Sequence, residues 1–120
     1  MVTEKKLQVP IYNFTVYVNI FDEWDEIKKY HLGNPDDERE GFMLVNDLQP
    51  NNIRLFVNAK CPSCIIHEII HIKNKIFNVI NQTIDKDNDE PEAYLVQYLY
   101  DKIIDVYYKH IDNTTKEEQE

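Results

Sequence analysis

Apolar and polar positions first fall into order at Phe14, Val16, Val18 and Ile20, with Asn13, Thr15, Tyr17 and Asn19 between them. A period of two predicts a half-buried strand. Residues 1–8 lack that order and read as a polar, ragged start. Asp22 follows the strand as a candidate N-cap, and Trp24, Ile27 and Tyr30 or His31 then recur at helical spacing. Gly33 and Pro35 stop this short helix, and 34–40 is a charged loop. Phe42, Met43, Leu44 and Val45 predict a second strand over 41–46. A turn at 47–52, marked by Pro50, leads into Ile53, Leu55 and Val57, which alternate with Arg54, Phe56 and Asn58. That third strand is the hairpin partner of the second.

Ser63 begins the longest helical pattern, in which Ile65, Ile66, Ile69, Ile70, Ile76, Phe77, Ile80 and Ile84 recur every three or four residues. The segment 85–89 is a polar connection. A last helix over 90–111 places Leu95, Leu99, Ile103 and Val106 on one face. The pattern predicts a single α+β domain over 1–111 in the order β-α-β-β-α-α. A small antiparallel or mixed sheet of about three strands packs on the two longer helices. Residues 112–120 form an acidic flexible tail.

Composition narrows the function. The chain has 120 residues, with 22 Asp and Glu against 13 Lys and Arg and a formal net charge of −9. Nucleic-acid affinity rests on neutralising phosphates, so nucleic acid is an unfavourable partner, as is an anionic membrane surface. The acids gather in four groups: Asp22, Glu23, Asp25 and Glu26; Asp36, Asp37, Glu38 and Glu40; Asp85, Asp87, Asp89, Glu90 and Glu92; and Glu117, Glu118 and Glu120. Solvated loops, helix starts and a tail account for all but the third. The first ten residues hold no apolar signal core, and no apolar run is long enough to span a bilayer. In such a chain Cys61-Pro62-Ser63-Cys64 reads as a pair of reduced thiols, and the expected setting is intracellular.

The chemistry lies in the long helix, where His67-Glu68-Ile69-Ile70-His71 is an HExxH sequence. Imidazoles four residues apart sit about 6 Å apart along a helix axis and point the same way, so both reach one zinc ion. The apolar flanks place the pair between buried stripes. Glu68 is rotated by about 100° from His67, which lets it act as general base on a water at the metal without ligating it. A catalytic zinc takes a third protein ligand. Between His71 and Glu90 lie 18 residues, enough to end one helix and bring back the first turn of the next. Asp89 fits the N-cap and Glu92 the third helical position of a capping box, with Pro91 in the first turn. That leaves Glu90 as the third ligand, Glu92 as second choice and Asp89 as third. Ala93 allows close approach of the two helices.

His67-Glu68-x-x-His71 followed by a Glu at the head of the next helix is similar to the gluzincin metallopeptidases, of which thermolysin is the familiar member. The stretch 67–100, with Asn88-Asp89-Glu90-Pro91-Glu92-Ala93-Tyr94-Leu95, resembles more closely small HExxH proteins of tailed phages and prophages that are classed with metallopeptidases. The resemblance implies a minimal zincin-like domain binding Zn2+ through His67, His71 and Glu90, with Glu68 as base. It also implies a peptide or protein substrate, or a phage or host protein partner, in the host cytoplasm or the virion. Larger gluzincins supply an oxyanion-stabilising Tyr or His from a second subdomain, for which this chain has little room. Tyr94, Tyr98, His31 and His110 are the candidates, and packing or surface roles also account for each. A substrate peptide is expected along the strand at 53–58. The alternative is a non-catalytic structural or host-interaction protein on the same scaffold, with zinc structural or lost.

Other readings of these residues rank lower. If Cys61, Cys64, His67 and His71 all lay on one helix they would span about 15 Å, too far for one zinc ion, an objection that softens if the two cysteines lie in a loop that folds back. A CxxC redox role lacks the rest of a thioredoxin pattern. Asp85-x-Asp87-x-Asp89 imitates a calcium loop, but Glu90 stands where Gly is required and Val96 where Glu is. The tyrosines of the last helix and Trp24 read as packing residues.

Overall fold

The computed structural model describes residues 1–31, 33–34, 36–46 and 48–119. The expected helix stop at Pro35, the Asp47 end of the turn, and the side chains of Glu117, Glu118 and Glu120 lie outside the description. The chain forms β1 (Val2–Val9), β2 (Phe14–Phe21), two 3-10 turns (Trp24–Glu26 and Lys28–Tyr30), β3 (Gly41–Asn46), β4 (Gln49–Asn58), α1 (Ser63–Val79) and α2 (Glu90–Gln119). The fold is α+β, with one four-stranded mixed sheet in the order β1-β2-β4-β3. Among the described residues no helix is long and apolar enough to cross a membrane.

The first strand corrects the ragged start read from 1–8. Only Leu7 and Val9 of β1 are buried, so its alternation is faint. Its place is set by antiparallel pairing with β2, from Val2 opposite Phe21 to Val9 opposite Phe14. β2 and β4 are parallel neighbours, and β3 closes the far edge antiparallel to β4. The expected 41–46 strand and its hairpin with the next strand are therefore present, although β4 begins earlier, at Gln49. β4 is also interior to the sheet, which corrects the proposal of 53–58 as a docking edge: its hydrogen bonds are taken on both sides.

The two faces of the sheet carry two cores. Val16, Val18, Ile20, Ile53, Leu55 and Val57 meet Ile65, Ile69, Ile72 and Ile76 of α1 and Leu95, Leu99, Ile103 and Val106 of α2. The α2 stripe is the one its periodicity predicts. On the opposite face Phe21, Trp24, Ile27 and Phe56 form a smaller cluster, in which Phe42 stacks on Phe56 at 4.6 Å. The short helix expected after β2 is two 3-10 turns. Glu23, not Asp22, caps the first, with Glu26 Oε1 accepting from the Glu23 N–H at 2.9 Å. The carboxylate of Asp22 is used elsewhere: its Oδ1 lies 2.8 Å from His110 Nε2.

Helix α1 ends sooner than the isoleucine pattern suggests. Asn81 adopts φ 58°, and the Gln82 N–H donates to the Phe77 carbonyl at 2.8 Å, a left-handed closing turn that excludes Ile84. Helix α2 runs past Ile111 to Gln119, through the segment expected as a tail.

Candidate metal and hydrolase site

Helix α1 carries the HExxH residues at its centre, and its packing decides where each one points. Ile65, Ile69 and Ile72 face the sheet and are fully buried. A step of about 100° per residue then carries His67 and His71 to the outer surface, where both are exposed. This corrects the expectation that the pair lies between buried stripes, since Ile66 and Ile70 are 47% and 40% exposed. The two imidazoles nevertheless converge. Their Nε2 atoms are 3.2 Å apart and their ring centroids 4.9 Å apart. Zinc–nitrogen bonds of about 2.0–2.1 Å at a tetrahedral angle set two ligand nitrogens about 3.3 Å apart. The pair thus presents two nitrogens at the separation a single zinc ion requires.

Glu68 turns to the other side of the helix, into the seam with β3. It is 5% exposed. A Cβ at Gly41, the first residue of β3, would meet Glu68 Oε1 at 3.4 Å and Cys64 Cβ at 3.3 Å. Gly41 therefore admits the carboxylate beneath the start of the free β3 edge. Burial pushes the Glu68 carboxyl above the ordinary carboxylate range, and the positive charge that His71 and His67 can carry pulls it partly back. A carboxyl raised in this way holds a proton closer to neutral pH than a surface glutamate does, as a general base requires.

The third ligand is not brought to the pair. Glu90 is the first residue of α2. Among the described residues the only group of three metal-ligating side chains within 4.8 Å of one another is Glu40, Cys61 and Cys64. His67, His71 and Glu90 do not form such a group in this arrangement. Glu92, the second choice, is held 2.8 Å from Lys73 Nζ in an ion pair, and the Ala93 N–H donates to the Asp89 carbonyl at 2.9 Å. Glu92 thus ties α2 to α1. The two imidazole nitrogens thus match the spacing of zinc ligands, and among the described residues no third ligand joins them.

The candidates for oxyanion stabilisation are placed elsewhere. Tyr98 donates its hydroxyl to the Gln8 carbonyl at 3.0 Å, which ties α2 to β1. Tyr94 lines an apolar hollow with Pro10 and Ile11. His31 packs on the opposite face of the sheet, 5.4 Å from Trp24 and 5.3 Å from Phe42 between ring centroids. His110 is fully buried between Thr3 Oγ1 at 2.7 Å and Asp22 Oδ1 at 2.8 Å.

Cys61 and Cys64 form a disulfide, with Cα atoms 5.5 Å apart. This corrects the reading of two reduced thiols, which rested on cellular setting rather than on geometry. Beside the motif, a groove of 580 Å³ runs between the helices, lined by Ile66, Asp89, Glu92, Ala93, Val96 and Tyr100. Pattern reasoning passed over Gly41 and Lys73. The chain has only two glycines, and Lys73 interrupts an otherwise apolar helix face, so each carried a signal. No family model, curated protein or solved structure matches the chain.

Proposed function

We propose that the chain is a small zinc-dependent peptide hydrolase on a minimal zincin-like scaffold, of the kind its sequence resembles among phage and prophage proteins. The observation that carries this reading is the 3.2 Å approach of the His67 and His71 Nε2 atoms on the same helix as a buried Glu68. His67 and His71 would hold the metal, and Glu90 would join them as α2 shifts its first turn toward α1. Zinc there would supply Lewis acidity toward a scissile carbonyl and a water acidic enough to ionise near neutral pH.

The chain's own groups do the rest. Glu68 takes the proton at its carboxylate and returns it to the departing amine. The N–H and C=O groups on the free edge of β3 pair with an extended peptide, which strand addition places alongside α1.

A second reading follows from the separation of Glu90 from the histidines: a non-catalytic phage or host-interaction protein that binds metal weakly through two ligands. Glu68→Gln separates the two. In a hydrolase the substitution abolishes cleavage of an unfolded protein substrate while zinc stays bound. If wild type and Glu68→Gln are equally inert with zinc loaded, the hydrolase reading fails.

A further inference from the structure

We propose that Glu40, Cys61 and Cys64 form a second site, for a thiophilic divalent cation such as zinc, which opens when the cysteines are reduced and closes when they form their disulfide. The ligating atoms of the three side chains lie within 4.8 Å of one another. Bonds of about 2.3 Å to sulfur and 2.0–2.2 Å to oxygen set tetrahedral ligand atoms about 3.5–3.8 Å apart. Only a small outward swing of the sulfurs separates the present cluster from that size.

The backbone holds the three residues at this point. The Asn58 N–H donates to the Glu40 carbonyl at 2.7 Å, which docks the entry of β3 against the end of β4. The Cys61 N–H donates to the Asn58 carbonyl at 2.9 Å, and the Cys64 N–H to the Cys61 carbonyl at 3.0 Å, so the CxxC turn is wound on the same anchor. Gly41 completes the approach, because any side chain there would press on Cys64. Cys61 lies outside α1 and folds back toward its first turn, which removes the length objection to a shared ion. Glu40 is exposed, so the remaining coordination position opens to water.

The exchange balances. A small dithiol supplies two electrons and two protons, the Cys61–Cys64 bond opens to two thiols, and the donor leaves as its own disulfide. Cation binding then releases the two thiol protons to solvent. The site uses neither His67 nor His71, so it stands or falls apart from the hydrolase reading.

The test is a zinc titration of the full chain against a chromophoric chelator, once oxidised and once under a phosphine reductant that does not bind zinc. The reduced chain is expected to take up one equivalent more than the oxidised chain. His67→Ala/His71→Ala keeps that redox-dependent equivalent, and Cys61→Ser/Cys64→Ser loses it. Cobalt in place of zinc should give a sulfur-to-metal charge-transfer band in the reduced chain alone. Glu40→Gln, on an exposed side chain that leaves the cysteines in place, covers the case in which the serine variant misfolds. Losing even an outer-shell partner costs about 10–100-fold in metal affinity, so Glu40→Gln should weaken this site by about tenfold or more. Equal uptake by the oxidised and reduced chains, or undiminished reduced-state uptake by Glu40→Gln, overturns the proposal. A chain whose histidine site alone fails takes up a single, redox-dependent equivalent.

Discussion

The ion pair between Lys73 and Glu92 makes a prediction whose size depends on which partner is removed. The Lys73 side chain is 5% exposed and that of Glu92 27%, with Nζ and Oε1 2.8 Å apart. Neutralising Glu92 by Glu92→Gln strands an ammonium in the helix interface, where Asn74 Oδ1 at 2.6 Å is its other neighbour. Breaking a fully buried pair costs about 3–5 kcal/mol. Water reaches Glu92, which screens the pair and lowers the expected loss to about 2–3 kcal/mol. Lys73→Met behaves differently. It keeps an apolar stem in the interface and leaves a carboxylate that can turn to solvent, so the loss is about 1 kcal/mol or less. In the Lys73→Met background, Glu92→Gln should cost about nothing, giving a coupling of about 2 kcal/mol across the double-mutant cycle. Urea unfolding followed by far-UV circular dichroism, on metal-free oxidised protein, measures all four chains. Equal costs for Glu92→Gln in the two backgrounds would refute the argument.

Glu68 binds its proton more tightly in the folded chain than in the unfolded one, where its value is near 4.5. Its contribution to stability is therefore full below that value and is lost as pH rises through the raised folded value. The stability of metal-free Glu68→Gln relative to wild type should accordingly be more favourable at about pH 7 than at about pH 4, and urea midpoints that differ equally at both would contradict the burial argument. His110→Ala empties a fully buried position and removes the partner of Thr3 Oγ1 and of Asp22 Oδ1; a loss of about 2–4 kcal/mol is expected, and one under about 0.5 kcal/mol in urea unfolding would count against it. Gly41→Val inserts carbon where Glu68 Oε1 lies 3.4 Å from an added Cβ; cleavage should fall about 100-fold with zinc retained, and unchanged kcat/KM would show that Glu68 does not act from this seam.

The sequence revealed those elements whose side chains alone report their burial. The Leu95, Leu99, Ile103 and Val106 stripe and the alternation of β2 needed no partner to be read. β1 was hidden because Thr3 and Lys5 occupy positions on its helix-facing side, and Thr3 is satisfied by His110, a contact 107 residues away. The hydrogen bonds from β1 to β2 decide it, and pattern does not see them. The HExxH histidines were legible because helical spacing is local geometry. The fate of Glu90 was not, since it depends on how α2 meets α1, and the Lys73–Glu92 pair helps set that meeting. Cys61 and Cys64 were misread because spacing is compatible with thiols, a disulfide or a metal. The three-dimensional fold of the turn, which brings the two Cα atoms to 5.5 Å in a disulfide, makes the choice.

The most direct test is equilibrium zinc binding by the oxidised chain, with wild type, Glu68→Gln and His71→Ala measured side by side. The histidine pair predicts one equivalent for wild type and for Glu68→Gln, and an affinity at least about 100-fold weaker for His71→Ala. A wild-type chain that takes up no zinc, or a His71→Ala chain that binds it as tightly as wild type, would contradict the account.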